Sequence, residues 1–287
     1  MQASSARVLD SKTGEEITQL PLASPRAALA LPGGSVLLAG LEASLRVDPH
    51  QRTGRPLDRL SLLPGAELLA DPRTPHAVWM VDYRLGRLSR HVFDAEGGVS
   101  RGAEIQVPGA QEAFTVLRGG DLLFASGTRL MHVRAGGKLH ELELPSTAAP
   151  VWRILPAHRL DRAWLVTPTG VLTLVELAAR VRVVRSLSTG LLPFAIAALD
   201  HHVAILSVSA PGLTPTRFSL YLSDAKSAPR LVEELPTSGP SATPDWMNEL
   251  TADKQLVLGG EPLRVAIGGP HSVRVYDVDT GERLFVR

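Results

Sequence analysis

At 287 residues, 44% hydrophobic and 21% charged, the chain is long enough for one large all-β domain or two ordinary domains, and apolar enough for a sizeable core. A formal net charge of +1, with no dense basic run, argues against nucleic acid and membrane surfaces as partners. The absence of cysteine excludes disulfides, thiolate zinc ligands and thiol catalysis.

The first strands flank a polar turn. Arg7-Val8-Leu9 leads through Asp10-Ser11-Lys12-Thr13-Gly14-Glu15 to Glu16-Ile17. Ala27 to Leu31 and Val36 to Ala39 then flank Gly33-Gly34, a pair suited to a tight hairpin because glycine tolerates positive φ. A more alternating pair follows at Leu45-Arg46-Val47 and Leu57 to Leu62. Leu69 leads through a polar loop to Ala77-Val78-Trp79-Met80-Val81, and Asp94 to Gly98 forms the next turn.

Ala113 to Ala125 repeats the pattern of Ala27 to Ala39 at an offset of 86, two units of 43. Leu130 to Val133 with Leu139 to Leu144 is its alternating companion. Leu155 leads to Ala163-Trp164-Leu165-Val166. In Val171 to Leu187, valines interleaved with arginine favour a hairpin turning at Ala178-Ala179 over a helix. Leu199 leads to His202 to Leu206, and Arg217 to Leu222 pairs with Arg230 to Leu235. Residues 237–253 read as an irregular insertion. Within it, Thr243 as N-cap and Pro244 start a short helix running to Leu250. Leu258 leads to Leu263 to Ile267, and the last hairpin, 272–287, contains Asp277-Val278-Asp279-Thr280-Gly281-Glu282.

The anchors Leu31, Leu69, Leu117, Leu155, Leu199 and Leu258 lie 38, 48, 38, 44 and 59 residues apart. Their mean of about 45 falls in the range of four-stranded propeller blades. The expected fold is therefore an all-β, four-stranded antiparallel β-propeller over 1–287. Seven positions with one incomplete are favoured over six, because the first hairpin has no inner strands of its own.

The two Asp-x-x-Thr-Gly phrases, at Asp10 and Asp277, resemble the outer-strand turns of WD40 and quinoprotein-like (PQQ-type) propeller repeats. The resemblance implies the propeller fold. It does not extend to a quinone: Ile17 and Leu284 stand near where those repeats place a docking tryptophan, and no blade ends in Trp-Asp. No cofactor is expected.

The remaining candidates for chemistry have bland readings. Two spaced aspartates at Asp277 and Asp279 fall short of the six to eight oxygens calcium takes, so a self-capping turn is expected and no metal. His201 and His202 are adjacent, and adjacent strand residues face opposite sides. Ser223-Asp224-Ala225-Lys226 matches a Ser-x-x-Lys spacing by chance, in an outer turn. No catalytic residue is assigned. Trp79, Trp152 and Trp164 fit core packing between blades.

The expectation is a non-catalytic platform that binds a protein partner through propeller loops, with Asp245, Trp246 and Glu249 of the insertion as contact residues. The alternatives are an enzyme that gathers groups such as Asp71, Asp82, Asp121 and His201 at the channel mouth, and a structural fragment of a longer propeller protein. Residues 1–20 lack the apolar core of a signal peptide, and the longest apolar run, Leu191 to Leu199, contains Pro193. A monomeric, cytoplasmic protein follows as the expectation. The preference for Arg over Lys fits a bacterial origin.

Overall fold

The computed structural model describes residues 5–10, 12–22, 25–48, 50–58, 60–62, 66–82, 84–106, 113–126, 128–134, 139–144, 150–157, 159–178, 180–199, 201–209, 217–224, 227–236, 256–259, 261–268 and 273–286. Among these every regular element is a strand. The insertion, with its expected helix and the candidate residues Asp245, Trp246 and Glu249, lies outside the described residues.

Twenty-four strands form six four-stranded antiparallel sheets, each a meander in chain order. The first is β3 (Pro25–Ala30), β4 (Val36–Gly40), β5 (Ser44–Asp48) and β6 (Thr53–Leu57). The second is β7 (Ala66–Ala70), β8 (Ala77–Asp82), β9 (Arg87–Phe93) and β10 (Val99–Gln106). The third is β11 (Ala113–Val116), β12 (Leu122–Ser126), β13 (Arg129–Val133) and β14 (Leu139–Glu143). The fourth is β15 (Arg153–Pro156), β16 (Arg162–Val166), β17 (Val171–Leu177) and β18 (Val181–Ser188). The fifth is β19 (Pro193–Leu199), β20 (His202–Ser209), β21 (Arg217–Ser223) and β22 (Arg230–Pro236). The sixth is β23 (Leu256–Gly259), β24 (Arg264–Gly268), β25 (Val273–Asp277) and β26 (Arg283–Val286).

These sheets are the blades of a β-propeller. Six four-stranded blades form, and the first hairpin, β1 (Ser5–Leu9) with β2 (Glu16–Pro21), is a separate two-stranded sheet. Its Val8 and Leu20 pack against Leu45 and Val47 of the first blade. A Cβ on Gly54 would lie 3.2 Å from a Leu20 methyl, so the hairpin covers the outer strands of that blade closely.

The chain divides into two compact units, residues 1–10, 15–126 and 130–141 in one and 11–14, 127–129 and 142–287 in the other. In the first unit the core lies between neighbouring blades. All six residues of β8 are buried. Val78 and Met80 face Leu31, Leu37 and Leu60 of the first blade. Trp79 and Val81 face Phe114, Leu122, Phe124 and Val133 of the third. Period-two alternation thus sends each strand into two cores, and this is why the inner hairpins are apolar throughout. Each such side chain contributes about 1.5–3 kcal/mol of burial.

The second unit repeats the scheme. Trp164 and Val166 pack with Val203 and Ile205, and Leu206, Phe218 and Leu220 pack with Val265, Ile267 and Tyr276. Trp79 and Trp164 are inter-blade residues as expected. Trp152 lies just before β15, half-buried beside the same core as Trp164.

The two repeated phrases form the same turn. Asp10 N–H donates to the Glu15 carbonyl at 2.8 Å, and Asp277 N–H to the Glu282 carbonyl at 2.9 Å. Gly14 and Gly281 take φ of 71° and 74°, the left-handed region that favours glycine.

Candidate functional site

A concavity of about 610 Å³ lies in the first unit, between the second and third blades. Its geometry starts from Asp71, which follows β7 and opens the turn to β8. One carboxylate oxygen accepts the Arg73 N–H at 3.0 Å, closing an Asx turn. The other accepts Arg90 Nε at 2.8 Å, and Arg90 also donates to Thr74 Oγ1 at 2.7 Å. Arg90 stands opposite Trp79 in the β8–β9 ladder, so the strand register delivers it to the turn. Asp71 is only 5% exposed; its pairing with Arg90 is what makes a buried carboxylate tolerable.

Arg73 leaves this turn toward the third blade. Its side chain lies across Gly120, where a Cβ would come within 2.5 Å of it, and reaches Asp121 at 3.5 Å. Asp121 is also held by His132 Nε2 at 3.0 Å. Arg73 is half exposed and Arg90 about a quarter, so the groove presents cationic edges. Trp79, Ile105, Leu122 and Val133 supply the apolar wall. Glu104, Gln106 and Arg134 complete the lining. Glu104 is itself paired with Arg87 and Arg101. Nearby, burial first and then Arg101 and Arg87 push the His91 imidazole below its ordinary range, and its Nε2 lies 2.9 Å from Ser89 Oγ.

Of the four groups named for the alternative of an enzyme, the three aspartates of the first unit do not form one cluster. Asp71 lines the groove, and Asp121 adjoins it through Arg73. Asp82 sits at the other end of the β7–β8 ladder, where Ala66 pairs with Asp82 and Ala70 with Val78. There its carboxylate caps the N–H groups of Arg84 and Leu85. His201 belongs to the second unit and stacks on His202 with ring centroids 4.4 Å apart.

In the second unit the polar groups tie blades and turns together. Asp277 accepts the Thr280 N–H at 2.8 Å and its hydroxyl at 3.0 Å; that backbone bond first of all holds its carboxyl below the usual range. Arg230 of the fifth blade donates to the carbonyls of Thr280, Asp279 and Val278, gripping the repeated phrase from outside. Glu233 accepts from Arg274 at 3.1 Å and Arg283 at 2.9 Å. Ser223 and Asp224 bond within their own turn to Ser227, so the Ser-x-x-Lys spacing is turn chemistry.

Sequence reasoning missed Arg73, Arg90 and Arg134. The signal for Arg90 was present in part, as an arginine opposite a tryptophan on a predicted strand. The role of Arg73 depends on two turns 46 residues apart becoming neighbours, and no local pattern carries that.

No family model matches the chain, and no curated protein is significantly similar to it. Solved structures match over nearly its full length. They include virginiamycin B lyase from Staphylococcus aureus, at 11% identity over 99% of this chain and 86% of that one, with a TM-score of 0.55. A protein of unknown function from Desulfotomaculum acetoxidans gives 0.65 at 12% identity, over 97% and 90%. The Swd1 β-propeller domain of Myceliophteria thermophila gives 0.62 at 9% identity, over 93% and 87%. At these identities the likeness is one of fold.

Proposed function

We propose that this propeller is an interaction platform that binds a protein partner through its loops, with no chemistry of its own. One observation carries the reading: its aspartates are used to build turns. Asp48, Asp71, Asp82, Asp94 and Asp277 each accept N–H groups of their own loops. A carboxylate held this way is a poor acid or base, while the loop it stiffens is preorganised for binding.

The lyase and Swd1 likenesses are compatible with either an enzyme or a scaffold and do not choose between them. Asp245, Trp246 and Glu249 remain the proposed contacts of the insertion, with a monomer as the binding unit and neither nucleic acid nor membrane as target. The experiment is affinity capture with the immobilised chain, read by quantitative mass spectrometry, for wild type and Trp246→Ala. A partner enriched by wild type and lost on substitution, at unchanged thermal stability, is expected. Equal capture by both proteins would refute the assignment of these residues.

A further inference from the structure

The groove between the second and third blades has a charge pattern that the platform reading does not by itself explain. Five arginines line or border it: Arg73, Arg87, Arg90, Arg101 and Arg134. Three carboxylates oppose them: Asp71, Glu104 and Asp121. The excess is two positive charges on a chain whose total is +1.

The distribution matters more than the sum. Asp71 is saturated by Arg90, and Glu104 by Arg87 and Arg101. Asp121 is shared between His132 and Arg73, the latter at a loose 3.5 Å. Arg134 is exposed and makes no ion pair among the described residues. Arg73 and Arg134 are therefore the cations with donors to offer, and both line the groove. The guanidinium fork is the side chain best matched to a carboxylate.

The same groove is lined by the buried side chains of Trp79, Leu122 and Val133 and by the half-buried Ile105. The volume, about 610 Å³, is that of an ordinary ligand cleft. An occupant needs carboxylates for Arg73 and Arg134 and an apolar group to meet Ile105, which an acidic, amphipathic peptide supplies. A nucleic-acid strand fits less well. Trp79 is 7% exposed, so its face is not open for a base to stack on.

We infer that this groove binds an acidic peptide segment of the partner, with Arg73 and Arg134 pairing its carboxylates and Ile105 touching an apolar residue. The inference rests on the platform reading and places part of the contact away from the insertion.

The test is fluorescence anisotropy with the full chain and a labelled hexapeptide of alternating glutamate and leucine. Binding should weaken with added salt and fall at least tenfold in Arg134→Gln and in Arg73→Gln. Arg7→Gln, on the first hairpin, should bind like wild type. Because Arg134 is exposed, its variant should fold normally, as checked by thermal melting, so the inference does not depend on Arg73→Gln being stable. Equal affinity of Arg134→Gln and wild type overturns it, as does equal binding of a lysine–leucine hexapeptide. Tighter binding of oligothymidylate than of the acidic peptide, with the same arginine dependence, overturns it in favour of nucleic acid. These outcomes are separate from capture by the Trp246→Ala pair: a partner retained through the insertion while the peptide fails to bind leaves the platform standing and removes the groove.

Discussion

Tyr276 offers a direct measure of how tightly the fifth and sixth blades close. It is 0% exposed, within the core formed with Leu206, Phe218 and Leu220. Its hydroxyl lies beside Glu233 and Arg274 but makes no well-formed hydrogen bond among the described residues. Burial first, and the Glu233 carboxylate second, push the phenol from 10.0 up to about 12. Between those two values the unfolded chain releases its proton while the folded chain keeps it. The unfolded state then binds fewer protons, so stability falls as pH rises. The contribution is complete below pH 10 and lost by the time pH passes about 12, a total on the order of 3 kcal/mol.

The assay is urea unfolding at pH values on either side of 10, for wild type and Tyr276→Phe. Wild type should lose stability more steeply with pH than the variant. The difference between their ultraviolet phenolate titrations should place Tyr276 well above an ordinary tyrosine. At neutral pH the variant should lie within about 1 kcal/mol of wild type, because the buried hydroxyl it removes makes no well-formed hydrogen bond among the described residues. Parallel pH profiles for the two proteins would refute the reasoning.

Other outcomes follow from the same structure. Trp164→Ala, at a side chain 1% exposed between the fourth and fifth blades, should cost about 3–5 kcal/mol in denaturant unfolding. Trp164→Phe should cost much less, since the indole N–H it removes has no partner among the described residues; a loss below about 1 kcal/mol for the alanine variant would contradict the packing. Asp277, held below its ordinary 3.8 by the Thr280 N–H, contributes stability that is present above that value and lost as pH falls through its folded value. Asp277→Asn should therefore lie closer to wild type below pH 3.8 than at neutral pH, and a constant difference in acid unfolding would count against the cap.

The blade grammar is legible because burial on both faces of an inner strand leaves an unbroken apolar run, as in Ala77 to Val81, and because Gly33-Gly34 and Gly119-Gly120 mark equivalent turns. The hairpin over 171–187 is legible from alternating valine and arginine, which places β17 and β18 as expected. The turn role of Asp277 is legible because its own neighbours supply the donors. The groove is not. Asp71 and Asp121 attract notice as carboxylates, yet their partners are selected by strand register in one case and by the neighbouring blade in the other. Asp82 looks equivalent to Asp71 in the sequence, and the antiparallel β7–β8 ladder places them at opposite ends.

The alternation of β8 between two cores has a consequence for how such a chain tolerates change. Successive residues answer to different neighbours: Val78 and Met80 to the first blade, Trp79 and Val81 to the third. Deleting one residue from this strand would present the tryptophan to the contact shaped for valine and methionine, and the smaller side chains to the contact shaped for tryptophan. Both junctions would fail in a single genetic event. A substitution at any one position disturbs only one of them. Length variation is therefore forced out of the inner strands into the connections, and the 59-residue spacing between Leu199 and Leu258 marks where this chain has accepted it.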